Sequence, residues 1–427
     1  MKKVLSDLIK DKRVLLLGFG KEGQATYKLL GEIGGYSRLD IADMKHIDGV
    51  DEKTAVFSGE NYMSVIDDYD VAFKSPGIVL PKERAEYRCM ITSQTEIFLQ
   101  VYGRQTIGIT GTKGKSTVSS LLYHVLHENN VPCFLVGNIG KPVFEIADMI
   151  ERDTTIVFEI SCHQLEWCKY SPSLAVLLNI YEDHLDHYGT RENYAKAKKN
   201  IYLNQYPLDT LYCTEEFKPS RDEAKARIIV ADKEILPFKS FNDINGVKLR
   251  GTHNMVNCSF VYNIAKSYGI TDEQFITSLK SFAPLRHRLE LIGSKDGIDY
   301  FDDSISTTVE STISAIESID NAYTVLIGGM DRGIDYTKLV DYLLQNNGLN
   351  IILMYQSGKR ILEMLNNAGY SGKVSYCDDL HAALHSAQQT TPAGGACILS
   401  PAAASYGYFK NFEERGDVFK SIVFGNN

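Results

Sequence analysis

Residues Thr110-Gly-Thr-Lys-Gly-Lys-Ser-Thr117 concentrate more chemistry than any other stretch of the chain. They follow the apolar run at Ile107 and Ile109 and precede the helical pattern Ser116-Thr-Val-Ser-Ser-Leu-Leu, so a strand breaks into a glycine-rich turn and then a helix. A turn of that kind cradles phosphate. Gly111 and Gly114 let the backbone approach anionic oxygens, and the amides opening the helix aim its positive dipole end at them. Thr112, Lys113 and Thr117 complete the loop, Lys115 adds a point charge near the β and γ phosphates, and the Ser116 hydroxyl can join the shell of a Mg²⁺ ion. ATP is the expected ligand. The strict phosphate-loop pattern places Gly where this chain has Ile109, so the loop is a variant.

Other polar residues sit where apolar strands end. Glu159, in Ile156-Val-Phe-Glu-Ile-Ser161, needs a metal ion or a hydrogen-bond partner, and a satisfied core carboxylate fits the letters equally well. Asn179-Ile-Tyr-Glu-Asp-His184-Leu-Asp186-His187 could ligate a metal or simply cap a helix. Lys196, Lys198 and Lys199 lie on one helical stretch and read most simply as a solvated face. Near the start, Gly18-x-Gly20-x-x-Gly23 after a strand, with acidic Asp43 about twenty residues on, suits an NAD site, another nucleotide, or a tight turn. Ser75-Pro-Gly77 marks another strand end that would face a ligand.

Short apolar strands alternating with helical patterns must position these groups, which predicts α/β layers built on parallel sheets. Three blocks are expected: a Rossmann-like domain over 1–100, a central phosphate-loop ATPase-like domain over 101–284, and a Rossmann-like C-terminal domain over 285–427. A chain of 427 residues that is 44% hydrophobic can bury cores of that number. Its net charge of −9 provides no basic excess for a nucleic acid or a membrane surface. The first residues have no apolar signal core, so a cytoplasmic protein is expected, and a monomer. Eight cysteines without a CxxC pair suggest reduced thiols.

Together these residues resemble the Mur ligases of peptidoglycan synthesis. The ordered motifs are GxGxxG at Gly18, TGTKGKST at Thr110, GNIG at Gly137, EISxxQLE at Glu159, NxxxDHLD at Asn179, YxxAK at Tyr194 and GxHNxxN at Gly251. HRLE at His287, DDS at Asp302, GGxDRG at Gly328, and SPAxAS with FKNFxxRG from Ser400 extend the likeness almost to the end. The chain is most similar to members that add glutamate to UDP-N-acetylmuramoyl-L-alanine, so those two substrates are the expected partners.

The resemblance implies ATP-dependent amide formation through an acyl phosphate, and it favours D-glutamate. It assigns Lys115 and Ser116 to the phosphates and Mg²⁺, and Glu159 and His184 to magnesium; Lys198 matches a lysine carried as a carbamate. It places Asn254, Asn257, Arg288 and Asp303 around the nucleotide, and Asn138, Ser161 and Gln164 near the muramoyl substrate. Asp43, Ser75 and Gly77 then serve the uridine, which displaces the NAD reading. Thr307, Arg332, Ser405 and Phe412 fall where the incoming amino acid is held. Two positions depart from the family: Ile305 replaces a lysine of the D-glutamate enzymes, and His163 stands where an aromatic residue is usual. Losing a cation that would meet a glutamate carboxylate leaves L-glutamate as the alternative.

Overall fold

The computed structural model describes residues 1–425, apart from the side chains of Leu185 and Asp186. Two compact units result: Met1–Lys239 with Val256–Leu279, and Ser240–Met255 with Lys280 onwards. In the first unit, strands β1 (Arg13–Leu17), β2 (Arg38–Asp43), β3 (Val56–Ser58), β4 (Val71–Lys74) and β5 (Met90–Thr92) form a parallel sheet in the order 3-2-1-4-5. The same unit holds a second parallel sheet, made of β6 (Thr106–Thr110), β7 (Cys133–Gly137), β8 (Thr155–Glu159), β9 (Leu174–Leu177), β10 (Thr210–Cys213) and β11 (Arg227–Val230). Its order is 11-10-9-6-8-7. Every residue of β6 and β8 is buried. Helices cover both faces of such a sheet, so its inner strands read as continuous apolar runs.

One apolar cluster joins the two sheets, from Leu16 and Phe73 through Phe98 and Phe158 to Leu211. The rings of Phe98 and Phe158 meet edge to face, 5.7 Å apart. The unit therefore packs as one body.

The second unit carries β12 (Glu290–Lys295), β13 (Ile298–Asp302), β14 (Ala322–Ile327), β15 (Asn350–Met354), β16 (Lys373–Cys377) and β17 (Ala396–Leu399), in the order 12-13-17-14-15-16. All pairs are parallel except the antiparallel β12–β13 ribbon. Doubly wound sheets present ligands at the carboxyl ends of their strands, where the order reverses. In the first sheet that point lies between β1 and β4, and in the second beside β6.

Candidate active site

The phosphate loop leaves β6 and enters the helix Lys115–Glu128, with Gly114 as the capping residue at φ 87°. That left-handed conformation suits glycine, and a Cβ there would stand 2.7 Å from Asn257 Oδ1, so the loop and the helix Thr252–Ser267 fit without room for a methyl group. Asn179, just past β9, clamps the loop from the other side. Its Oδ1 accepts from Lys113 N at 2.9 Å, and its Nδ2 donates to Lys113 O at 3.1 Å. Thr112 hydrogen-bonds through its hydroxyl to the Tyr194 hydroxyl, 3.0 Å away.

Two ammonium groups converge on one carbonyl. Lys115 Nζ donates to Gly111 O and Thr112 O at 2.8 and 2.9 Å, while Lys198 Nζ donates to Gly111 O at 2.8 Å. Lys196 is exposed and Lys199 pairs with Glu223 at 2.7 Å, but Lys198 is 1% exposed and lies 4.7 Å above the Tyr194 ring. The solvated-face expectation thus fails for Lys198, which sits on the inward stripe of its helix. Burial, and then the Lys115 charge, pull its amine from 10.5 down to about 7.

Glu159 ends β8 fully buried, paired in register with Ile109 of β6 and Gly137 of β7. Asn138 Nδ2 donates to its Oε1 at 2.8 Å, whereas its Oε2 is buried with no hydrogen-bond partner among the described residues. A buried carboxylate oxygen left in that state is unfavourable unless a cation meets it, and hard oxygen donors suit Mg²⁺. His184, at φ 52°, is exposed; its ring lies 4.8 Å from that of His163 and 6.1 Å from that of Tyr194. Asp186 of the same motif lies outside the described side chains.

The middle-domain model of the Mur ligases matches residues 109–235. Over 443 residues the chain is 30% identical to the UDP-N-acetylmuramoylalanine--D-glutamate ligase of Geobacillus sp. (strain WCH70), covering 96% of this chain and 97% of that protein. The ligase of the same name from Staphylococcus saprophyticus subsp. saprophyticus is 32% identical over 438 residues, with 96% of both chains covered. The chain belongs to the Mur ligase family. The crystal structure of the MurF ligase of Thermotoga maritima in complex with ADP shares its fold, with a TM-score of 0.62 at 16% identity over 98% of this chain and 96% of that one.

In this Mur ligase Ser161 and Gln164 form a capping box that starts the short helix Cys162–Leu165, and Gln164 Nε2 also donates to Glu22 Oε1 at 2.8 Å. Burial raises Glu22 above the usual carboxylate range, opposed by that hydrogen bond and by the Lys74 charge. Lys74 pairs with Glu166 at 3.4 Å, and Glu166 also meets His187 Nε2 at 3.0 Å. Burial pulls Lys74 below its usual value, with Glu166 opposing. Lys74, Arg84, His163, Gln164 and Glu166 line a cleft in the first unit.

At the edge of the first sheet, Asp43 accepts from Phe19 N and Lys45 N at 2.7 and 2.8 Å, and Ser75 Oγ donates to Gly18 O at 3.0 Å. A Cβ on Gly23 would lie 2.2 Å from Gly18 O, so its absence lets the helix Lys21–Ile33 pack tightly on the β1 turn. Gly77 faces open space. Glu22, Lys74, Glu166, Asn179 and Tyr194 were not among the expected site residues; only the last three stand inside motifs that could have flagged them.

In the second unit Asp303 is fully buried and accepts from Leu289 N at 3.1 Å and Ser400 Oγ at 2.7 Å. Burial pushes it up to about 6, opposed by those partners and by the Arg288 charge. Asn254 Nδ2 donates to Arg250 O at 2.8 Å. Arg415 is fully buried and binds Ser304 and the Ala403 carbonyl, and Ser304 Oγ donates to Phe412 O at 2.8 Å. Ser405 is buried, Thr307 and Phe412 are half-buried, and Arg332 is exposed.

Proposed function

We propose that this Mur ligase joins glutamate, with D-glutamate favoured, to UDP-N-acetylmuramoyl-L-alanine in an ATP-dependent step of peptidoglycan precursor synthesis. The observation that carries the site assignment is Glu159 Oε2, a buried oxygen without a hydrogen-bond partner at the strand end beside the phosphate loop. Full-length identity to relatives named for D-glutamate supports the choice of amino acid.

An alanyl carboxylate oxygen attacks the γ-phosphorus of ATP as the bond to ADP breaks, giving an acyl phosphate. The glutamate nitrogen then attacks the acyl carbon, phosphate leaves with the carbon–oxygen electron pair, and the nitrogen loses a proton. Between anionic reactants the protein's main work is positioning and charge neutralisation. Gly111, Thr112, Lys113, Gly114, Lys115, Ser116 and Thr117 hold the phosphates, with Asn257 supporting the loop. Ser116, Glu159, His184 and a carbamylated Lys198 would hold Mg²⁺, whose chemistry is to screen the negative charge of the phosphates. With its amine titrating near 7, Lys198 is substantially neutral at physiological pH. The neutral nitrogen is the form that adds to CO₂ with loss of a proton, yielding an anionic oxygen ligand.

We assign the uridine end to residues 1–100 through Asp43, Ser75 and Gly77, and the muramoyl portion to Asn138, Ser161 and Gln164. Residues 101–284 serve ATP. Residues 285–427 take the amino acid through Thr307, Arg332, Ser405 and Phe412, with Arg288 and Asp303, and Asn254 ahead of them, serving the nucleotide. Ile305 keeps L-glutamate as the second reading, because an aliphatic side chain offers a carboxylate no charge. The test is ADP release with UDP-N-acetylmuramoyl-L-alanine and D-glutamate, L-glutamate or other amino acids, each tried separately. D-glutamate should give the fastest release and Lys115→Ala should abolish it. Turnover with L-glutamate alone would reverse the stereochemical choice, and an active Lys115→Ala would remove the phosphate-loop assignment.

A further inference from the structure

We infer that Cys162, His163 and His184 form a binding site for a borderline-soft divalent metal of the zinc type, separate in ligand chemistry from the oxygen-rich site at Glu159. Each offers one donor atom, and these atoms all lie within 4.8 Å of one another. Cys162 Sγ and His163 Nδ1 are 3.6 Å apart. Tetrahedral zinc with sulfur at about 2.3 Å and nitrogen at about 2.0–2.1 Å sets its two ligands about 3.6 Å apart, so this pair already has the required spacing. The capping box of Ser161 and Gln164 fixes the backbone from which both side chains project. His184 is exposed, and its ring meets that of His163 edge to face at 4.8 Å, which brings the third donor to the same place.

Donor type selects the metal. A thiolate with two imidazoles favours zinc over magnesium, which prefers oxygen and dehydrates reluctantly. Three protein ligands leave a fourth position for water on the exposed side. Because His184 is also assigned to Mg²⁺, zinc at this site withdraws it and inhibits ligation; that consequence rests on the proposed function, whereas the binding itself does not.

The experiment dialyses the full chain against buffered Zn²⁺, measures the metal retained, and repeats the measurement with Cys162→Ser and His163→Gln, whose folding is checked by circular dichroism. Wild type should retain one zinc per chain, and each variant should bind at least tenfold more weakly, since even supporting groups around a metal are worth about 10–100-fold. Co²⁺ in place of zinc should give a thiolate charge-transfer absorption that Cys162→Ser lacks. No retained zinc, equal affinity in the variants, or a thiolate band that survives Cys162→Ser would overturn the site. In the ligase assay, zinc should inhibit wild type as the site fills, and Cys162→Ser should keep its basal turnover and need at least tenfold more zinc. Zinc bound without inhibition would overturn the link to His184. Absence of turnover in every protein would overturn the ligase reading and leave the metal result standing.

Discussion

Replacing Lys198 with methionine keeps the apolar stem and removes the charge, which isolates the electrostatics of the most deeply buried amine beside the phosphate loop. In the folded chain that amine titrates at about 7, against 10.5 ordinarily. Between those two values the unfolded chain binds more protons than the folded one, so the lysine's contribution makes stability rise with pH. The whole gap corresponds to about 5 kcal/mol. At pH 7 the folded amine is half charged, and at pH 9 the unfolded amine is still charged, so the part recovered between them is about 2 kcal/mol. Buried thiols act in the opposite direction. Cys168 and Cys397, pushed up to about 12 by burial, stay protonated in the fold while unfolded thiols ionise near 9, which costs stability over the same range. The difference between wild type and variant cancels them. Urea unfolding in metal-free and CO₂-free buffer, followed by the fluorescence of Trp167, the single tryptophan and a member of the same compact unit, measures that difference. The stability of Lys198→Met relative to wild type should fall by about 2 kcal/mol from pH 7 to pH 9. A difference that does not change with pH, or that moves the other way, would refute the reasoning.

Gly114→Ala puts a side chain at φ 87° and a Cβ 2.7 Å from Asn257 Oδ1. The left-handed strain is about 1–2 kcal/mol, equivalent to about 5–30-fold, so calorimetric titration should show ATP affinity weaker by about that factor as the loop shifts to relieve it, and unchanged affinity would remove the loop from the phosphate site. Asn138→Ala takes away the hydrogen bond to Glu159 Oε1 and leaves a buried carboxylate that now lacks it, which should lower stability by about 1–3 kcal/mol in thermal unfolding. Added Mg²⁺ should recover part of that loss by binding the native state, and a melting temperature indifferent to Mg²⁺ in both proteins would count against Glu159 as a ligand.

Strands buried on both faces announced themselves. The apolar runs at 14–17 and 325–327 fall within β1 and β14, because a parallel sheet covered by helices leaves little reason for alternation. Edge strands carry no comparable signal. The three residues of β3 and the three of β5 are too short for periodicity, and β3 is only half-buried, so its place depends on pairing with β2. Pairing order was likewise not readable: nothing local in Val71–Lys74 says that it returns to lie beside β1 rather than β3.

The site was legible wherever its chemistry is local. The phosphate loop and the carboxylate ending β8 stand out because glycine spacing and a charge in an apolar run are departures visible within ten residues. Lys198 was visible in a subtler way: Tyr194, Ala197 and Ile201 are all buried, and Lys198 falls four residues after the first and three before the last, on the stripe that helical geometry turns inward. Neighbouring Lys196 hid that pattern, since a run of like charges invites one reading for all its members. The meeting of Lys74 with Glu166, and of Glu166 with His187, could not be read. Lys74 ends β4 and Glu166 follows the helix Cys162–Leu165, 92 residues away, so each looks like a stray charge until the fold brings them together. A buried ion needs a partner, and partners need not be sequence neighbours; the unit that joins the first two sheets therefore spends its buried charges along their common cleft, where Lys74 meets Glu166 and Gln164 meets Glu22. Polar groups held that way give the cleft a lining whose donors and acceptors are already paired with one another before any ligand arrives.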